Sequence, residues 1–330
     1  MLRTALVWIL LAFSVKAATA ACNGTDLAQT MAPDDRAAID AAISAVPYAR
    51  GNAWLAQRGD ARLFLVGTYH LDDPRHDAVL ERIGHAVDEA KVVLVEAGPD
   101  EMENLTSEMT RRPDLLFTTS GPTLPERLDE ADWQMLADAM RERGVPPVLA
   151  SKMRPWYVSM MLGIPPCAME EIGAGSSGLD ARIIDRAEAK GIPLWALEPY
   201  DTIFGLFDAM PPEKQLDMIR ATLAMGEQAE DYAATLTEAY FAEDVRLSWE
   251  LGRLAAYDLP GMTREEVDAD LVLMEEALVN RRNRDWLPAL EAAAEEGPAF
   301  AAFGAMHLSG EEGVLALLER EGFTIERQPF

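Results

Sequence analysis

The feature that most constrains this chain is a pattern it uses twice. Leu63 to Val66 is an apolar run followed by Gly67-Thr68-Tyr69-His70, and Phe300 to Phe303 is one followed by Gly304-Ala305-Met306-His307. An apolar strand, a glycine turn, a histidine and then a helical stretch place an imidazole at the carboxyl edge of a sheet. In open α/β folds that edge is where ligands bind. The two histidines stand near opposite ends of the chain, so a shared pocket requires the first and last sheet elements to be neighbours. That is the main expectation the sequence sets.

The intervening chain supplies the rest of such a sheet. Asn52 to Gln57 and Arg62 to Val66, joined by Arg58-Gly59-Asp60, read as a β-hairpin. Asp72-Asp73-Pro74 opens a helix with Val79, Ile83, Ala86, Val87 and Ala90 on one face. His76 at its start and His85 opposite its apolar stripe both read as exposed. Val92 to Val95 has no polar alternation, as expected of a strand buried on both faces of a parallel sheet, and it ends in Glu96. Leu194 to Leu197 repeats the arrangement and ends in Glu198. The loop Gly173 to Gly178 lacks the Gly-Lys-Ser/Thr of a phosphate-binding loop, and Asp180 after it reads as a helix N-cap. Ser309-Gly310-Glu311-Glu312 has the form of a capping box.

Val267, Leu271, Met274, Leu278 and Arg282 fall on one helical face. An arginine on an apolar stripe either snorkels to solvent or meets a carboxylate, here Glu96 or Glu198. The architecture expected from these elements is α/β: a central mixed, largely parallel sheet flanked by helices. Residues 21–330 form one domain, with helical insertions over 100–166 and 201–280 covering the carboxyl edge of the sheet. Trp156 in the first insertion reads as packing, and the methionines there as adaptable core filler.

Charge and leader bound the partners. A net charge of -27 excludes nucleic acid, because binding a polyanion needs Lys and Arg to displace its counterions, and it disfavours anionic membrane surfaces. Residues 1–20 read as a signal peptide: Arg3, then apolar Ala5 to Val15, then Ala18-Thr19-Ala20. The apolar run falls short of the roughly 20 residues a membrane span needs, so the expected product is exported and periplasmic, without stable membrane insertion. The two cysteines, Cys22 and Cys167, can pair in an oxidising compartment. Lipid anchoring through Cys22 is the alternative, although Thr19-Ala20-Ala21 lacks the usual large aliphatic residue before it.

From about residue 50 to its end the chain resembles the TraB/GumN proteins, relatives of the Tiki membrane proteins of animals. The resemblance rests on Leu65-Val66-Gly67-Thr68-Tyr69-His70-Leu71, the strand ending in Glu96, and Lys152 to Trp156. It extends over Gly178-Leu179-Asp180, Leu197-Glu198, Arg282-Asn283-Arg284, and Gly304-Ala305-Met306-His307-Leu308 with Gly310 and Gly313. Tyr69 departs from the aliphatic residue more usual there. The resemblance implies a fold like that of the erythromycin esterases and the haem-binding ChaN proteins, and a hydrolytic, metal-dependent, peptidase-like activity. It makes His70 and His307 the paired site histidines, Glu96 their acidic partner and Arg282 a site arginine, with Glu198 less defined.

Three chemistries suit these residues. In the first, His70, Glu96 and His307 hold a divalent metal ion (Zn, Mn or Fe) that activates water, and Glu198 takes the proton from a peptide or small-molecule substrate reaction. In the second there is no metal: His70 is the general base, Glu96 orients it and Arg282 stabilises negative charge. In the third the chain binds haem, a metal or a partner without turnover. In each case both turns and not the imidazoles carry the packing, so variants lacking either histidine are expected to fold.

Overall fold

The computed structural model describes residues 22, 24–169, 178–257 and 262–330. The leader-like residues 1–20 and residues 173–177 of the glycine and serine loop lie outside them. Six strands form one mixed sheet: β1 (Ala53–Arg58), β2 (Ala61–Thr68), β3 (Val92–Val95), β4 (Leu194–Ala196), β5 (Ala299–Gly304) and β6 (Thr324–Arg327). Their order across the sheet is β4-β3-β5-β2-β1-β6. Strands β4, β3, β5 and β2 run parallel, while β1 is antiparallel to both β2 and β6. The opening and closing Gly-x-x-His strands are therefore direct neighbours, with Gly67 opposite Phe303 and Thr68 opposite Gly304.

The central strands β2, β3 and β5 are buried on both faces, as their unbroken apolar runs require, while the edge strands β4 and β6 are partly exposed. Leu63, Leu65, Leu94, Ala301 and Phe303 pack on one face against Trp286 and Leu290 of the helix Arg281–Glu296. Val66, Val93, Phe300 and Ala302 pack on the other face. They meet Val79, Ile83 and Val87 of the helix Arg75–Glu89 and Leu179, Ile183 and Ala187 of the helix Leu179–Lys190. The two long helical stretches leave from the carboxyl ends of β3 and β4. Parts of both share a separate core, in which Leu136, Met140, Val158 and Leu162 meet Leu216 and Ile219. Trp156 of the first stretch is buried and stacks on Phe207 of the second at 5.4 Å between ring centroids. Cys22 and Cys167 are joined in a disulfide, with Cα atoms 5.3 Å apart.

Three expectations of local structure away from the sheet fail. Ser309 does not cap a helix: Gly310 turns with φ of 106°, and the helix begins at Val314 with Gly313 as its cap. A side chain at Gly313 would meet Leu308 O and Ser309 C at 2.5 Å, so the chain folds back on itself before the helix can start. His76 is not exposed but 0% accessible, with Tyr69, Tyr240 and Phe241 around its ring. Its Nε2 lies 3.0 Å from Leu71 O, so it donates there and holds the loop that follows His70. Burial keeps this imidazole below its usual pKa, against the Leu71 carbonyl, which favours the charged form. Finally, the stripe from Val267 to Arg282 is interrupted by a π-helical turn, Glu276–Asn280, which shifts Arg282 off the regular 3.6-residue face.

Candidate active site

The motif glycines explain the geometry. A Cβ on Gly67 would lie 2.7 Å from Ala305 Cα and 2.8 Å from Leu308 Cδ1, so the first turn needs glycine for the second turn to pack against it. A Cβ on Gly304 would lie 3.2 Å from Glu96 Oε1, 3.8 Å from His307 Cδ2 and 4.0 Å from His70 Nε2. That one point is thus ringed by an acid and two imidazoles delivered by the carboxyl ends of β2, β3 and β5. Pairing continues past β3 and β4, with Leu197 N–H donating to Val95 O at 2.8 Å, and this sets Glu96 and Glu198 side by side.

Arg282 sits among them. Its Nε donates to Glu198 Oε2 and its Nη2 to Glu198 Oε1, both at 2.8 Å, and Nη2 also reaches Glu96 Oε2 at 2.6 Å. Nη1 donates to Leu278 O at 3.1 Å and to His307 Nε2 at 3.2 Å. A guanidinium carries five N–H bonds, and five acceptors surround this one. The π-helical turn contributes one of them, the Leu278 carbonyl. Of the two readings of Arg282, the carboxylate partner is the one observed, with both suggested glutamates engaged. Glu96 is completed by the Gly304 N–H on Oε1 at 2.5 Å, and Glu198 by the Trp286 indole on Oε2 at 3.2 Å.

The two histidines are not equivalent. His307 is 5% exposed, and its ring lies 4.4 Å from that of Trp286. Since Arg282 can only donate, His307 Nε2 accepts, and the ring proton sits on Nδ1 and is donated to Asn283 Oδ1 at 2.6 Å. Burial pushes this imidazole down to about 4, the pull of Glu96 being offset in part by Arg282. His70, by contrast, has 66% of its side chain exposed, and Asp180 Oδ1 lies 3.1 Å from its Nδ1. The Asp180 hydrogen bond lifts its pKa above the ordinary value, an effect that so much exposure keeps well below that of a buried pair. Burial pushes Glu96 up, but His307, Arg282, His70 and the Gly304 N–H together hold it at about 2. With His307 neutral at pH 7, Arg282 is the constant cation in that balance. Burial raises Glu198, against its bond to Arg282.

The structure therefore brings together all five residues named from the sequence: His70, Glu96, Glu198, Arg282 and His307. Two more were missed. Asp180 is not an N-cap; Gly178 is, and Asp180 turns instead to His70. A Cβ on Gly178 would lie 2.4 Å from Tyr69 O, so only glycine lets the helix start ride on the His70 backbone, where Leu179 N–H donates to Tyr69 O at 3.0 Å. The Gly178-Leu179-Asp180 triplet carried that signal. Asn283, beside Arg282 in the sequence, is the other.

Two imidazoles and a carboxylate suit a divalent ion, yet Glu96 Oε2 and His307 Nε2 both accept from Arg282. Among the described residues no three His, Cys, Asp or Glu side chains are grouped to hold a metal. The arrangement described here does not fit an ion on His70, Glu96 and His307 unless Arg282 moves away.

Fold and site define an α/β protein with a polar cluster at the carboxyl ends of its parallel strands. Residues 52–327 match the model of the TraB/PrgY/gumN family, and the chain belongs to that family. No curated protein matches it.

Proposed function

We propose that the chain is an exported hydrolase in which His70 takes the proton from a water attacking an ester or peptide carbonyl and returns it to the leaving alcohol or amine as the acyl C–O or C–N bond breaks. The observation that carries this reading is the saturation of Arg282. With its five N–H groups engaged, Arg282 positions Glu96, Glu198 and His307 and supplies a fixed positive potential, but it has no donor to give a developing oxyanion. With His307 Nε2 accepting one of those N–H groups, proton transfer falls to the exposed, carboxylate-backed His70, whose raised pKa makes its neutral, basic form more abundant as the pH rises. Glu96, ionised and steered by Gly304 N–H and Arg282, is placed to orient the water and to balance the imidazolium that forms.

Export is supported by the Cys22–Cys167 disulfide, since such bonds persist in oxidising compartments. A Cys22 sulfur so engaged is not available for a lipid anchor. Among the described residues no helix is long and apolar enough to cross a membrane.

The metal-dependent form of the reading puts an ion on His70, Glu96 and His307 and requires Arg282 to release two acceptors. Chelation separates the two forms. Protein stripped of divalent ions and assayed on chromogenic ester and peptide panels is expected to keep its turnover. Loss of turnover restored by one added metal would overturn the metal-free form. Absence of turnover in both states, with His70→Ala indistinguishable from the parent in ligand binding, would overturn the hydrolase reading itself.

A further inference from the structure

The two Gly-x-x-His turns deliver chemically identical imidazoles, yet each Nδ1 has a different partner. At His307 it is the Asn283 amide, and at His70 the Asp180 carboxylate. An amide can present either its oxygen or its NH2 to a ring, so it fixes a tautomer only when its own orientation is fixed. Asn283 meets that condition: its Nδ2 donates to Glu312 O at 2.8 Å and to His307 O at 3.3 Å, which leaves Oδ1 for the ring. It is also 0% exposed, so solvent does not compete. At the exposed His70 the partner is a carboxylate, which can only accept and so needs no fixed orientation of its own to choose a tautomer.

We propose that Asp180 is a positioning residue for His70, holding its proton on Nδ1 so that Nε2, the ring nitrogen on the Gly304 side, carries the lone pair. The placement is built in rather than incidental. Gly178 seats the start of the helix Leu179–Lys190 on the Tyr69 and His70 backbone, and Asp180 follows two residues later. The separation between ring and carboxylate is thereby tied to the strand that carries the ring. This inference rests on the hydrolase reading for its kinetic part and on the geometry alone for its spectroscopic part.

The test replaces Asp180 by asparagine, which keeps the shape but can offer a donor to Nδ1. In a serine-protease triad the equivalent change lowers kcat by about 10⁴ through the wrong tautomer. With Asp180 partly open to water, a fall of roughly 10²–10³ in kcat is expected here, with little change in KM. Asp180→Glu, which keeps the acceptor, is expected to recover part of that loss. Imidazole ¹⁵N shifts of His70 report the tautomer without any substrate. Read at a pH above the raised pKa of His70, where its ring is neutral, they are expected to show an Nδ1 proton in the parent and a shift of the population towards the Nε2 proton in Asp180→Asn, while His307 is unchanged in both.

An unaltered His70 tautomer in Asp180→Asn would overturn the proposal, whatever the activity. The expected tautomer change without a fall in turnover of an active parent would overturn the role given to Asp180 and leave the hydrolase reading intact. A parent without turnover would instead count against the hydrolase reading, and the tautomer shifts would still decide the positioning one.

Discussion

Replacing Arg282 by alanine is expected to lower folding stability by about 3–5 kcal/mol, the usual loss when one partner of a buried ion pair is removed. The magnitude follows from what is left behind. Arg282, Glu96 and Glu198 keep only 15%, 21% and 17% of their side-chain surface, so solvent cannot replace the guanidinium cheaply. Glu96 and Glu198 would face one another without a cation, and at least one would take up a proton. Arg282→Lys is expected to recover little, because an ammonium has three donors where five acceptors wait. Arg282→Met combined with Glu198→Gln, which removes one of the two orphaned carboxylates along with the cation, is expected to regain part of the loss. Urea midpoints of the three variants check this. A loss below about 1 kcal/mol for Arg282→Ala, the scale of an exposed ion pair, would mean that the network does not hold the site together.

The second large effect separates the two histidines. His70→Ala is expected to change stability by no more than about 0.5 kcal/mol, as for other exposed positions, and to reduce turnover by about 10²–10⁴, the scale of a lost general base. His307→Ala is expected to cost stability as well. It opens a void beside Trp286 and strands the Asn283 oxygen, and an unpaired buried polar group alone costs about 1–3 kcal/mol. The expectation from sequence that both variants fold undisturbed therefore stands for His70 and is revised for His307. Denaturation and turnover measured on the same preparations check both. Equal destabilisation by the two substitutions would contradict the division of roles.

What could be read in advance followed local rules. Apolar runs without alternation became parallel strands, and residues directly after strands became site residues, which is how Glu96, Glu198 and both imidazoles were found. The repeated glycine also had a legible cause once β2 and β5 were taken as neighbours, since Gly67 is where the second turn packs. Two of the failures share one origin. Asp180 looked like an N-cap because the residue that must sit on the His70 backbone, Gly178, is specified by a strand more than a hundred positions earlier. His76 looked exposed because Tyr240 and Phe241, which enclose it, arrive from far along the chain. The π-turn before Arg282 leaves no mark in apolar spacing, and it is the feature that offers the Leu278 carbonyl to the guanidinium.

The most direct measurement is a crystal structure of the protein purified without chelator, with anomalous data collected at the Zn, Mn and Fe edges. The account predicts Arg282 Nη2 on Glu96 and Nη1 on His307 Nε2, as at the 2.6 and 3.2 Å found here, and no anomalous peak between the imidazoles. A metal ion ligated by His70, Glu96 and His307, with Arg282 swung clear of both, would contradict it.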